Sequence, residues 1–196
     1  MPRRPYIWLS SIGAGGPDRI CVMAESDDER LAAEQRARVL IDRQLAQSGW
    51  AVQDRGALNL FVPQRGIAVR EVIMKPGHGR VDYLLYVDKA VVGVIEAKPM
   101  GTPLSGVEWQ SAMYATGLPE EVRRKTLDPE GRLPFVFEAS GTETHFTNGF
   151  DPAPRARRIF ALPRPETLAA TVRAATDNPD QAPTWRGKVR TLPALD

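Results

Sequence analysis

Residues 91 to 106, VVGVIEAKPMGTPLSG, constrain the fold more than any other stretch of the chain. Val91, Val92, Val94 and Ile95 are β-branched and apolar, the make-up of a strand built for burial. The same strand then carries Glu96 and, two residues on, Lys98. Side chains alternate along a strand, so Glu96 and Lys98 share one face while Ile95 and Ala97 share the other. A carboxylate and an ammonium therefore sit together at the end of an otherwise apolar strand.

What precedes this strand supplies a partner. RVDYLLYV and AVVGVIEAK are two apolar, β-rich runs flanking Asp88-Lys89, which predicts a β-hairpin with a tight polar turn. In an antiparallel hairpin the start of one strand lies beside the end of the other. Asp82 then falls opposite residue 95 or 96, and two carboxylates and a lysine converge at one end of a sheet. Two ionised carboxylates that close repel unless positive charge lies between them. Mg²⁺ meets this need, with oxygen ligands and several retained waters, and Mn²⁺ is an alternative. Asp82 and Glu96 are the candidate ligands, and the backbone carbonyl of Ala97 is a third oxygen. Lys98 places a second positive charge near a metal-bound water, a set suited to lowering that water's pKa and to offsetting charge on a phosphate. The plainer alternative is an ion pair at a strand end.

GVEWQSAMYATGL, residues 106 to 118, predicts a helix ending near Gly117. Gln110 and Tyr114 stand four apart on it and share a face. They can orient the lysine or the attacking water, or bind phosphate oxygens.

Elsewhere the pattern is regular. Asp27 to Ser48 reads as a helix with Leu31, Val39, Leu40 and Leu45 near one stripe, a capping box from Ser26 and Glu29, and a stop at Gly49. LPFVFEAS reads as a strand, TETHFTNG as a short strand and turn, RRIFAL as a further strand, and RPETLAATVRAAT as a helix with Pro165 in its first turn. DNPDQAP breaks that helix. The order predicts an α/β domain with a mixed central sheet flanked by helices over residues 25–178. Residues 1–24 read as a loose extension, within which Met23 is an alternative start to Met1. Residues 179–196 read as a linker.

Several classes are set aside. The net charge of +2 is too small to argue for nucleic acid by itself, and the cluster of Arg155, Arg157, Arg158 and Arg164 reads either as a phosphate-facing patch or as a solvated face. Cys21 is the single cysteine, so no internal disulfide forms, and no apolar run is long enough for a bilayer; both point to the cytoplasm. His78 and His145 have no partner at zinc-ligand spacing. GTPLSG lacks the Gly-Lys-Ser/Thr ending of a P-loop. Ser105 and Ser140 have no evident base, against a serine hydrolase. Five lysines stand among many arginines, and one of them is Lys98.

Asp82, Glu96-Ala97-Lys98 and Gln110-Ser111-Ala112-Met113-Tyr114 resemble the PD-(D/E)xK nuclease pattern with its following Q-x-x-x-Y helix, with Val81 in place of the proline. RVDYLLY, VIEAKPMGTPLSGVEWQSAMYATGLP and GTETHFTNGFDP followed by RRIFALPRPETL resemble the N-terminal region of the restriction (R, motor) subunit of type I restriction-modification enzymes, from about residue 27 to 196. The resemblance implies a restriction-endonuclease-like fold and Mg²⁺-dependent hydrolysis of double-stranded DNA, with no sequence preference of its own. Asp82 and Glu96 would hold the metal, Lys98 would position or polarise the water, and Gln110 and Tyr114 would complete the site. Glu34, on the first helix, would be an extra acid. The implied partners are DNA, an ATP-driven helicase-like motor beyond LPALD, and methyltransferase and specificity subunits. Two rivals remain: a stand-alone repair or junction-resolving nuclease of the same fold, and an inactive docking module.

Overall fold

A computed structural model describes residues 27–104, 114 and 116–190. Helix α1 (Asp27–Gln47) is followed by strand β1 (Ala51–Asp54), a 3-10 turn, β2 (Gly66–Ile73), β3 (Arg80–Val87) and β4 (Ala90–Ala97). Next come a short helix α2 (Glu120–Arg123), β5 (Phe135–Ala139), β6 (Thr144–Asn148), β7 (Arg157–Ile159), α3 (Pro165–Asp177) and α4 (Trp185–Arg190). The strands form one seven-stranded sheet in sequential order. β1 runs parallel to β2 and β4 parallel to β5; the other neighbours are antiparallel. This is the mixed sheet with flanking helices that the sequence predicts.

Two strands escape the sequence reading. β1 has only four residues, too few for a period to show. In β2 the run GIAVREVI is interrupted by Arg70 and Glu71, and Glu71 sits at φ 53°. Helix α4 lies within the stretch read as linker. The extension 1–24, with Cys21 and Met23, the cap residue Ser26, Ser105 and Gln110 lie outside the described residues.

The hairpin turn forms as predicted. Asp88 and Lys89 take φ of 48° and 70°, the left-handed pair a two-residue turn needs to match strand twist. Gly93 allows β4 and β5 to approach: a Cβ there would lie 2.3 Å from the carbonyl oxygen of Phe135. No larger residue fits without moving backbone.

Each face of the sheet carries its own core. One gathers Ile41, Leu45, Trp50, Tyr83, Leu85, Phe135, Phe137 and Leu168, and so holds α1 and α3. Phe137 stacks on Phe146 with ring centroids 4.5 Å apart. The other gathers Ile67, Val69, Leu84, Val94, Val136, Tyr114 and Leu118. The inward stripe of α1 is Ala37, Ile41 and Leu45, while Leu31 and Val39, expected on it, are exposed. Spacing of four along a helix keeps 37, 41 and 45 on one face; residues 31 and 39 fall off it.

Polar contacts then fix α1 along its axis. The Tyr83 hydroxyl donates to Asp42 Oδ1 at 2.9 Å, Arg70 donates to Asp42 Oδ2 at 2.9 Å, and Gln44 donates to the Gly141 carbonyl at 2.7 Å. Arg38, one turn before Asp42, is thereby carried to the end of β3.

Candidate active site

Tyr83 pairs with Ile95 and Leu84 with Val94. The next rung sets Asp82 opposite Glu96, which settles the alternatives of 95 and 96. Asp82 is buried, at 8% exposure. Its Oδ2 accepts the Ala97 backbone N–H at 2.9 Å, and its Oδ1 accepts Nε and Nη2 of Arg38 at 3.0 and 2.6 Å. Glu96 Oε2 accepts the Tyr114 hydroxyl at 2.9 Å, and Oε1 lies 3.5 Å from Lys98 Nζ. Burial first, and the charge of Asp82 second, push the Glu96 carboxyl above the usual carboxylate range; Lys98 and Tyr114 only partly offset this. Burial and the charge of Glu96 likewise raise the Tyr114 hydroxyl, so it stays protonated and donates.

An open cavity of about 760 Å³ joins these groups, and Glu34, Arg38, Arg80, Asp82, Glu96, Ala97, Lys98 and Glu138 line it. The cavity thus brings together Asp82, Glu96, Lys98, Ala97 and Glu34, and Tyr114 reaches it through Glu96. His78 is exposed in the turn between β2 and β3; His145 is half-buried on β6 with Nε2 3.2 Å from Glu143. Ser140 is buried and bonded locally to Glu143.

Glu138 and Arg38 were not foreseen. Glu138 pairs with Glu96 across the parallel β4–β5 rung, so the two side chains share a face. It is 3% exposed, and among the described residues its Oε2 has no hydrogen-bond partner. Burial raises its carboxyl; Lys98 and His145 pull it back in part. The signal was present, since FVFEAS puts an acid in an apolar strand just as VVGVIEAK does. Arg38 follows Glu34 by four on α1, so the two share a helix face. Along the same rung Glu138 pairs with His145 and His145 with Arg158, so the acidic end of the row continues into a basic one.

The donor set fits a hard divalent cation. Its groups are carboxylate oxygens, and a buried carboxylate oxygen without a partner is costly unless a cation or a proton meets it. Among the described residues no group of three or more His, Cys, Asp or Glu side chains is placed to hold a metal ion. Mg²⁺ is commonly held by one or two carboxylates and keeps several waters.

Fold and cavity define an α/β domain with an acidic, lysine-bearing site at one end of a mixed sheet. Comparison with known families places it more narrowly: residues 59–147 match the type I restriction enzyme EcoKI endonuclease subunit second domain. Over that stretch, somewhat less than half of its length, the chain is similar to a domain of the endonuclease subunit of type I restriction enzymes, in line with the resemblance its motifs carry. The match spans β2, the β3–β4 hairpin, β5 and most of β6, and so includes Asp82, Glu96, Lys98 and Glu138. No curated protein and no solved structure matches the chain.

Proposed function

We propose that this chain hydrolyses phosphodiester bonds of double-stranded DNA with the help of Mg²⁺, as a PD-(D/E)xK nuclease domain. The observation that carries the reading is the meeting of Asp82, Glu96 and Lys98 on one cavity at a sheet end. Asp82 and Glu96 would hold the cation, with the Ala97 carbonyl as a further oxygen and Glu34 as an additional acid. When bound, Mg²⁺ supplies charge stabilisation and a more acidic water.

The protein's own groups then have distinct tasks. Tyr114 holds Glu96 in one orientation through its hydroxyl. Lys98, half-buried beside Glu96, keeps an ammonium where the attacking water and the phosphate oxygens meet. Gln110, which lies outside the described residues, would complete this set by the resemblance. His145 and Arg158, next along the rung, offer donors to phosphates beyond the cleaved one. The similarity of residues 59–147 to an R-subunit domain supports DNA and a multisubunit complex as its setting. ATP enters only through a motor, methyltransferase and specificity subunits choose the site, and the work is done in the cytoplasm. Among the described residues no helix is long and apolar enough to cross a membrane.

The test is cleavage of supercoiled plasmid with Mg²⁺ and with chelator, by wild type and Lys98→Ala. Loss of one positioned charge at a phosphoryl transition state costs about 10²–10³ in rate, so the variant should be silent within the assay. In the assembled complex the same variant should keep its ATPase. Equal cutting by both proteins sinks the assignment of Lys98. No cutting by wild type, alone or assembled, favours the docking module; strong cutting without partners favours the stand-alone nuclease.

A further inference from the structure

The fork of Arg38 occupies the carboxylate that the cation needs. Nε and Nη2 both reach Asp82 Oδ1, at 3.0 and 2.6 Å, while Oδ2 is taken by the Ala97 N–H. A divalent ion binds a carboxylate oxygen at about 2.0–2.1 Å, and a guanidinium crowded onto that same oxygen repels it. One of the two must yield.

Arg38 is not needed to dock its helix. Ile41 and Leu45 are fully buried beneath α1, and Asp42 is held by Arg70 and Tyr83, and Gln44 by the Gly141 carbonyl. Arg38 also has somewhere to go. Its side chain is 24% exposed, it lines the same cavity as Lys98 and Arg80, and its Nη1 already leans to Glu71 Oε1 at 3.3 Å. Glu71 cannot be its only destination, because Arg80 Nη1 is bound there at 3.1 Å. The planar fork that now grips a carboxylate grips a phosphate equally well.

Resting on the nuclease reading above, we propose that Arg38 is a substrate-binding residue held on Asp82 until the cation displaces it. Its guanidinium then takes a DNA phosphate at the mouth of the cavity. The exchange leaves both of the anions concerned with a positive partner: Asp82 has the cation, and the phosphate has Arg38. It also orders events, since the arginine becomes free for DNA only once the metal ligand is occupied.

Two measurements on the full chain test this, with Arg38→Gln and Arg38→Lys. In the first, Mg²⁺ alone is titrated calorimetrically. In the second, a short fluorescent DNA duplex is bound with Ca²⁺ replacing Mg²⁺. Arg38→Gln should bind Mg²⁺ about tenfold more tightly and DNA about tenfold more weakly, each the worth of one charge-assisted hydrogen bond. Arg38→Lys keeps the charge but not the fork, and should fall between wild type and Arg38→Gln on both axes; it decides the matter if Arg38→Gln does not fold. The opposite signs are diagnostic, because a merely structural arginine would weaken both when lost. Unchanged or weaker Mg²⁺ binding in the variants overturns the proposal, and so does unchanged DNA binding. If wild type and variants alike bind no Mg²⁺, the nuclease reading itself fails.

Discussion

At its turn the β3–β4 hairpin carries Asp88 and Lys89; at its open end it carries Asp82, Glu96 and Lys98. The residue types are alike, and their surroundings are not. Asp88 accepts from Arg65 Nε at 2.8 Å, but the two side chains are 51% and 37% exposed. Lys89 lies 4.1 Å from the ring centre of Phe61, which is itself exposed. Water and salt screen such contacts, and exposed pairs contribute little. At the open end Asp82 and Glu138 are buried and Glu96 is half-buried. There each charge must be matched by a neighbour or remain a standing cost. Identical chemistry is thus decoration at one end of a hairpin and a site at the other.

The largest effect on stability should come from Asp82. Asp82→Ala leaves the Ala97 N–H and the Arg38 fork without their acceptor, and should cost about 2–3 kcal/mol in urea unfolding. A loss under about 0.5 kcal/mol would put Asp82 in the same class as Asp88 and break the comparison.

Glu96 should behave in the opposite sense. Its carboxyl is raised by burial and by Asp82, so the folded chain holds that proton more tightly than the unfolded one. The stability tied to it is complete below the ordinary glutamate pKa and is lost as pH rises through the folded value. Glu96→Gln should therefore raise the metal-free melting temperature at neutral pH and flatten its decline between acid and neutral pH. Mg²⁺ should stabilise wild type more as pH rises, and Glu96→Gln hardly at all. A variant that melts lower than wild type at neutral pH would show that Glu96 is well matched without a cation.

The smallest effect belongs to the turn. Arg65→Ala should shift stability by no more than about 0.5 kcal/mol, less still at high salt. A loss several times larger would mean that the turn end is as strongly coupled as the open end.

Much of the site was legible because it depends on local rules. Alternation along β4 put Glu96 and Lys98 on one face, and hairpin geometry around Asp88-Lys89 brought Asp82 to Glu96 within one residue. Tyr114, read as part of the site from the segment after β4, does reach Glu96 with its hydroxyl. Period and turn chemistry act over a few residues, so the linear chain displays them. β1 was too short to show a period, and β2 was hidden by Arg70 and Glu71.

The chain by itself determined which residue types stand at the end of the hairpin, and the hairpin that carries them. Only the tertiary structure decided their partners. The parallel β4–β5 rung that sets Glu138 beside Glu96 joins strands far apart in sequence. Arg38 reaches Asp82 because Ile41, Leu45 and Asp42 seat α1 at one height on the sheet. Neither contact leaves a periodic trace, because each is fixed by packing between elements and not by spacing within one.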